Sequence, residues 1–236
     1  MKLCQPRLEG RLIKRYKRFL ADIELAGGEI ITAHTGNTGA MLGCSDPGSR
    51  VWIYDTENPK RKYRYSWDMV EDLAGNLIGI HTTRANKLVS EGIANGVIKE
   101  LAGYEAKPEV KYKNFNTRFD FMLCKNDAPQ HCFLEVKSVT AKRHTDTAIF
   151  PDAKSERGKK HLDVLMDALM QGYRSIAFYC IQRDDVNCFS PADEIDPLYA
   201  ETLRKAHAAG VEIMAYKTRL SPDEIALYQA VPVSLY

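Results

Sequence analysis

The hydrophobic pattern of this chain changes abruptly at Thr82-Thr83, and the change divides the sequence into two parts. Before it, short apolar segments alternate with turn signals such as Gly27-Gly28 and Pro47-Gly48. After it, segments with apolar residues at helical spacing alternate with short apolar runs, a pattern typical of strands joined by helices. We therefore predict an all-β part at residues 1–81 and an α/β part at residues 82–236.

The first part has its apolar segments at residues 8–25, 29–34, 51–54, 63–67 and 77–80. Short strands with frequent turns over about 80 residues are typical of a small barrel. The oligonucleotide-binding barrel is one fold of this kind, although the pattern alone does not select it.

The second part is predicted to contain, in order, a helix, three strands, a helix, a strand, a helix and a strand. The helices are expected at residues 83–101, 156–171 and 198–209, and the strands at 110–115, 117–123, 131–139, 175–181 and 211–216. A turn at 125–129 joins two of these strands, and residues 142–152 form a loop that could close over a substrate or be plain surface. Because strand–helix–strand crossovers make parallel neighbours, we expect a mixed sheet flanked by helices.

Three charged residues lie within two of these strands. Asp120 stands between Phe119 and Phe121, and Glu135 and Lys137 alternate with apolar residues. Side chains alternate faces along a strand, so Glu135 and Lys137 share a face, with about 7 Å between their Cα atoms. If the two strands pair around the turn, Asp120 lies next to Glu135.

Two carboxylates on one sheet are costly to bury unless something compensates their charge. A divalent cation held by Asp120 and Glu135 would do so, and oxygen ligands favour Mg²⁺ or Mn²⁺ over zinc. Lys137 would orient the attacking water or stabilise charge on a phosphoryl group, which is the chemistry of phosphodiester hydrolysis. The alternative is a cross-strand ion pair on a solvated face.

Basic residues cluster near aromatic ones, as in many nucleic-acid-binding surfaces. The alternative is a solvated strand or helix face over core aromatics. The candidate nucleic-acid-binding residues are Arg11, Lys14, Arg15, Lys17, Arg18, Lys60, Arg61, Lys62, Arg64, Arg118, Arg157 and Lys160.

Other polar residues have two readings each. His161 could assist proton transfer or be a packed histidine. Asn37 and Thr38, among glycines, could bind phosphate through backbone amides or form a tight turn. Glu91 and Glu100 could add a metal ligand or be exposed helix charges.

Several stretches resemble the sugar fermentation stimulation protein A family over essentially the full length of the chain. They are residues 8–12 (LEGRL), 34–39 (HTGNTG), 135–140 (EVKSVT), 148–153 (AIFPDA), 155–162 (SERGKKHL) and 191–197 (PADEIDP). The chain departs from the family pattern at Phe119, where Ile is usual, and at Gly36, where Pro is usual.

The resemblance implies a five-stranded oligonucleotide-binding-type barrel followed by a PD-(D/E)xK nuclease-like domain. It also implies DNA binding with little sequence preference and a regulatory link to maltose metabolism. Carried over by position, Asp120, Glu135 and Lys137 correspond to the nuclease triad.

Charge, cysteine spacing and the lack of long apolar runs indicate the class and location of the protein. The net charge is only +2, so local clusters matter more than the total. The six cysteines form no C-x-x-C pair, which disfavours structural zinc and indicates reduced thiols. No signal peptide or apolar run long enough to span a membrane is evident, so we expect a cytoplasmic protein.

Three functions remain open at this stage. One is Mg²⁺- or Mn²⁺-dependent hydrolysis of DNA, and another is DNA-binding regulation without cleavage. RNA binding or processing is a third. The sequence leaves open whether the DNA is single- or double-stranded and whether the chain forms a homodimer.

Overall fold

The computed structural model describes residues 1–112, 115, 117–125, 131–143 and 145–236. Its first part is a barrel. The strands are β1 (Arg7–Tyr16), β2 (Leu20–Leu25), β3 (Ile30–Thr35), β4 (Arg50–Asp55), β5 (Tyr65–Glu71) and β6 (Leu77–Gly79). β1 pairs antiparallel with β2 and β4, and a parallel pairing of β3 with β5 closes the ring. β6 adds to β5 outside it. The expected five-stranded oligonucleotide-binding-type barrel is confirmed.

Barrel closure requires tight contacts and local bends. A side chain at Gly10 on β1 would place its Cβ only 2.6 Å from the Glu24 carbonyl oxygen, so β1 can cross β2 only with glycine there. Register shifts between Leu12 and Lys14 bend the same strand. The barrel interior is apolar, with Trp67 wholly buried at its centre.

The second part is a mixed sheet with three helices. Its helices are α1 (Arg84–Ala94), α2 (Glu156–Met170) and α3 (Pro197–Ala209). Its strands are β7 (Glu105–Tyr112), β8 (Thr117–Cys124), β9 (Cys132–Val139), β10 (Thr147–Phe150), β11 (Arg174–Ile181), β12 (Cys188–Pro191), β13 (Glu212–Leu220) and β14 (Ile225–Ala230).

The main sheet has the order β14-β13-β11-β9-β8-β7. Its central strands β9, β11 and β13 are parallel, whereas β7 and β8, and β8 and β9, are antiparallel. A small parallel pair of β10 and β12 lies apart. One core joins α1 to the sheet, and a second core joins α2 and α3 to it. The predicted α/β architecture is therefore confirmed.

The local predictions differ from the structure in places. The helix predicted to reach residue 101 ends at Ala94, because Gly96 adopts a left-handed conformation (φ 74°) and only a 3-10 turn, Lys99–Leu101, follows. The expected loop at 142–152 contains β10, and β12 and β14 were not predicted. Most of the predicted turn at 125–129 lies outside the described residues.

The barrel is joined to the sheet by buried contacts. Leu3, Trp52 and Met69 belong to the apolar core beneath α1. The fully buried Asp68 on β5 lies 2.6 Å from Arg7 of the barrel and 2.7 Å from Arg84 of α1. None of the helices in the described part of the chain has the length and apolarity needed to cross a membrane.

Candidate active site

The ladder between β8 and β9 ends beside Asp120. Its last described pair is Phe121 with Leu134, so the next positions along the two strands are Asp120 and Glu135. The Asp120 carboxylate accepts hydrogen bonds from the Val136 amide at 2.7 Å and from Asn86 Nδ2 at 2.8 Å. One carboxylate therefore fixes β8, β9 and α1 at a single point.

Glu135 is the most enclosed charged group of the site, with only 4% of its surface exposed. Lys137 Nζ donates to its Oε1 at 2.7 Å, so these two side chains share a face of β9 as the alternation predicts. His161 of α2 also contacts Oε1 through Nδ1. The structure thus brings Asp120, Glu135 and Lys137 together and adds a histidine.

The pKa values of the two carboxylates are shifted in opposite directions. Burial raises the pKa of Asp120, and the neighbouring Glu135 charge raises it further. Burial alone would also raise the pKa of Glu135, but Lys137 and His161 outweigh burial and lower it. Glu135 therefore carries a compensated charge, while Asp120 lies beside it with no ion-pair partner among the residues that the structure describes.

This arrangement fits a hard divalent cation. Each carboxylate oxygen of Asp120 uses one lone pair in a hydrogen bond and keeps another for a metal. In the described part of the chain, no group of three or more His, Cys, Asp or Glu side chains is placed to hold a metal ion. Two carboxylates with the other positions left to water or phosphate suit Mg²⁺ or Mn²⁺ better than a structural zinc site.

The hydrogen bonds of His161 define its neutral tautomer. Arg157 Nε donates to His161 Nε2 at 3.3 Å, and a guanidinium cannot accept, so Nε2 is the acceptor. Nδ1 then carries the proton and donates to Glu135. Lys137 Nζ, although 3.1 Å from Nδ1, therefore donates to Glu135 instead. His161 therefore links Glu135 to the Arg157 guanidinium, which lines the large cleft.

A cleft of about 1100 Å³ opens in front of Asp120 and Glu135. The predicted basic residues Arg118, Arg157 and Lys160 line it, together with Lys111, which pairs across from Arg118. Among the described residues, no ion pair involves Arg118, Arg157 or Lys160. Their charges are available to an anion entering the cleft.

The first cluster of barrel cations, at residues 11–18, makes several kinds of contact. Arg15 donates to the carbonyls of Arg18, Asn37 and Gly39, so it supports a loop of the barrel. Three more have partners. Arg11 donates to the Gly48 carbonyl, Lys14 lies 3.6 Å from Asp22, and Arg18 donates to the Thr38 carbonyl. Lys17 is exposed.

The second cluster of barrel cations, at residues 60–64, lies near the first. Lys60, Arg61, Lys62 and Arg64 are exposed in the β4–β5 connection, and Arg64 lies 2.5 Å from Asp55. Arg61 is near enough to His34 on β3 to add to burial in lowering its pKa. Tyr63 likewise adds to the raised pKa of Tyr16 on β1, after the larger effects of its hydrogen-bond partners and burial. The strands that follow the two clusters meet at β3, where His34 pairs with Leu20 of β2 and with Ser66 of β5, so the two clusters lie near each other on the barrel.

A second, smaller cleft of about 290 Å³ lies on the Lys137 side of the site. Barrel residues 36–39 line it, together with Asn86 of α1 and Lys137 of β9. Asn86 and Lys111 were not singled out from the sequence. Asn86 gives no sequence signal, because its role depends on how α1 docks, whereas Lys111 could have been found as the partner of Arg118.

Two acidic residues considered as extra ligands are engaged elsewhere. Glu91 lies 2.9 Å from the Met1 ammonium, and Glu100 accepts from the Tyr216 hydroxyl at 2.5 Å. Neither lines the clefts beside Asp120.

Comparison with known proteins agrees with this architecture. A family model described as "SfsA N-terminal OB domain" matches residues 13–80, and "Sugar fermentation stimulation protein RE domain" matches residues 83–224. The sugar fermentation stimulation protein homolog of Teredinibacter turnerae is 47% identical over 230 residues, covering 98% of each chain. That of Maricaulis maris is 46% identical over 236 residues, covering 100% of this chain and 99% of the relative.

A solved structure is similar over the whole chain. It is the structure of Pyrococcus furiosus SfsA in complex with Ca²⁺, with a TM-score of 0.86, 28% sequence identity and 99% coverage of both chains.

Proposed function

The chain belongs to the sugar fermentation stimulation protein family, and from that premise we propose that it binds DNA and hydrolyses phosphodiester bonds with little sequence preference, using Mg²⁺ or Mn²⁺. Its C-terminal part is nuclease-like in fold, and its N-terminal barrel suggests nucleic-acid binding. The observation that carries the proposal is the adjacency of Asp120, Glu135 and Lys137 beneath a cleft lined by cations that have no ion-pair partner among the described residues.

In this proposal Asp120 and Glu135 would hold the cation. When bound, it would polarise a phosphate oxygen and acidify a water molecule. Lys137, donating to Glu135, would orient the attacking water or stabilise charge on the phosphoryl group. His161 would hold Glu135 in place through its protonated Nδ1. The Pyrococcus furiosus relative is described with Ca²⁺, a cation that also takes carboxylate oxygens.

The chain's own cations would position the substrate. Arg118, Arg157 and Lys160 line the large cleft and would hold phosphates on either side of the bond to be cut. On the barrel, six of the cations lie in the β1–β2 connection (Lys17, Arg18) and the β4–β5 connection (Lys60, Arg61, Lys62, Arg64), and these are the loops with which oligonucleotide-binding barrels contact their ligands.

A second candidate is DNA binding without cleavage, in a regulatory role linked to sugar (maltose) metabolism. Two observations favour it. The Glu135 charge is already compensated within the protein by the Lys137 ammonium, with His161 donating a hydrogen bond to it, and the curated relatives are named for sugar fermentation rather than for hydrolysis.

The test is to incubate supercoiled and single-stranded DNA with the protein in Mg²⁺, in Mn²⁺ and in chelator. The wild type is compared with Asp120→Ala, Glu135→Ala and a control, Glu201→Ala, on the exposed face of α3. Metal-dependent nicking that is lost in the first two variants and kept in the control supports hydrolysis. Intact DNA beside an unchanged gel shift supports the binder, and competition by RNA addresses an RNA ligand.

A further inference from the structure

The smaller cleft has the size and chemistry of a nucleotide site. Its volume of about 290 Å³ is at the lower end of ligand pockets, which suits one nucleotide rather than a base pair. Its lining mixes hydroxyl and amide groups with apolar walls. The polar lining residues include Asn37, Thr38, Thr82, Ser138, Thr140 and Asp152, whose carboxylate accepts the Met41 amide, and the apolar ones include Val136, Ile149 and Phe150.

The cleft also lies beside the proposed cation ligands. Lys137 and Asn86 form part of its wall, and these residues contact Glu135 and Asp120 respectively. The large cleft reaches the same two carboxylates from the other side. A group held in the small cleft would therefore lie within a few side chains of the proposed cation ligands.

The part of the barrel surface around Phe19 and His34 lies next to this cleft along the chain. Phe19, with 39% of its surface exposed, lies 5.8 Å from the His34 ring, centroid to centroid. From there the chain runs into residues 36–39 of the cleft wall. A Cβ on Gly36 would lie 3.5 Å from the His81 ring, and Thr82 Oγ1 donates to the Gly36 carbonyl at 3.0 Å. Aromatic rings beside cations are what single strands stack upon.

From this geometry we infer that the small cleft is a binding site for one unstacked nucleotide of a single strand that runs from the Phe19–His34 face of the barrel to the carboxylates. The inference rests on the nucleic-acid binding in the proposed function and specifies its substrate class as single-stranded. A duplex could use the large cleft, but its paired bases could not enter the small one without unpairing.

The experiment fills the cleft from its rim. Thr38 is exposed on that rim, so Thr38→Trp would occupy the cleft with little effect on the barrel core. The control, Leu73→Trp, adds the same ring at a barrel turn where the leucine is 74% exposed. Affinity is measured in chelator, so that no strand is cut, with an oligothymidylate and with a duplex of equal length.

We expect Thr38→Trp to weaken single-strand binding about tenfold or more, since each stacked base contributes about 1–3 kcal/mol, and to leave duplex binding within about twofold. Leu73→Trp should change neither. A 2-aminopurine placed in the strand should brighten on binding to the wild type, as it unstacks, but not on binding to Thr38→Trp.

Equal losses on both ligands, or unchanged single-strand binding, would overturn the inference. If Thr38→Trp lowers the melting temperature, the smaller Thr38→Phe repeats the measurement. Because binding is measured without metal, a selective loss would uphold the cleft assignment even if Asp120→Ala shows that no hydrolysis occurs. Conversely, nicking together with an unselective Thr38→Trp would refute the cleft assignment alone.

Discussion

The Asp120 carboxylate accepts the backbone amide of Val136 at 2.7 Å, at the point where the β8–β9 ladder ends. A side chain of one strand thus takes an amide that a carbonyl would otherwise accept. This bond holds Asp120 beside Glu135, and their mutual repulsion is part of the cost of keeping both ionised. Stability and cation binding are therefore coupled at this pair.

The first prediction is that Asp120→Asn raises the melting temperature of the metal-free protein. Because the folded-state pKa of Asp120 is raised, its stabilising contribution is present below the ordinary value of 3.8 and is lost as pH rises through the folded-state pKa. A neutral amide removes that loss at neutral pH. It can still accept from Val136 and, if Asn86 turns its amide, donate to that residue.

Glu135→Gln is the matched comparison, with the opposite sign. The pKa of Glu135 is lowered, so its ionised form stabilises the fold above the ordinary value of 4.5. The variant leaves Lys137 without its partner and should lower stability by up to about 3–5 kcal/mol. Thermal unfolding in chelator measures both variants, at about 2–4 °C for each kcal/mol. Shifts of the same sign would contradict this account.

The second prediction concerns the contact between the barrel loop and the second part of the chain. A Cβ at Gly39 would overlap the Asp152 carboxylate, which accepts the Met41 amide at 2.9 Å. Gly39→Ala should lower the free energy of unfolding by about 1–3 kcal/mol, since neither backbone nor carboxylate can move freely. Gly27→Ala, with no atom within 4 Å of its Cβ, should be neutral or slightly stabilising. Urea unfolding compares them, and equal midpoints would refute the clash.

The third prediction is that Asp196→Ala is strongly destabilising. This buried carboxylate caps α3 by accepting the Tyr199 amide at 3.0 Å and also accepts the Ser155 amide at 2.8 Å, at the start of α2. Losing a helix cap and a second buried acceptor should cost about 2–4 kcal/mol. Glu201→Ala, on the exposed part of α3, should cost less than about 0.5 kcal/mol. A comparable loss in both variants would contradict the double-cap role.

The adjacency of Asp120 and Glu135 was predictable because it depends only on strand alternation and hairpin pairing. The contributions of Asn86 and His161 were not, since they depend on how α1 and α2 dock against the sheet. The proximity of the two barrel clusters was likewise not predictable, because it depends on the pairing of β3 with β5 that closes the barrel.

The boundary errors have local causes. The apolar spacing of α1 continues into Ile98 and Leu101, which pack in the same core as the helix although the helix has already ended. The helix ends because Gly96 adopts a left-handed conformation, and apolar periodicity does not predict that conformation. β10 and β12 were missed because each has only four residues, too few for an alternation pattern to emerge.

The fourth prediction is that stability declines as pH falls below neutrality, partly through His34 and His81. Burial lowers the pKa of both histidines. Arg61 lowers the pKa of His34 further, and Arg84 lowers that of His81 against an opposing effect of Asp68. Since their folded-state pKa lies below the ordinary value of 6.5, the stability present above 6.5 is lost as pH falls toward the folded-state pKa. His81→Gln should show a smaller loss between about pH 7.5 and about pH 5.5 in urea unfolding. An unchanged pH dependence would exclude His81 as a contributor.

The fifth prediction separates cations that bind phosphate from cations that support the fold. Arg118 and Arg157 line the large cleft without an ion-pair partner among the described residues, so each alanine variant should reduce the salt slope of DNA affinity by about 0.9. Their melting temperatures should stay near that of the wild type.

Arg15 is half-buried and holds the carbonyls of residues 37 and 39, so Arg15→Ala should lower the melting temperature as well. Lys205→Ala, whose ammonium pairs with Glu201 on α3, serves as the control for both readouts. A salt slope unchanged in Arg118→Ala and Arg157→Ala would mean that phosphates do not enter the large cleft, and the carboxylates beneath it would then lack a substrate.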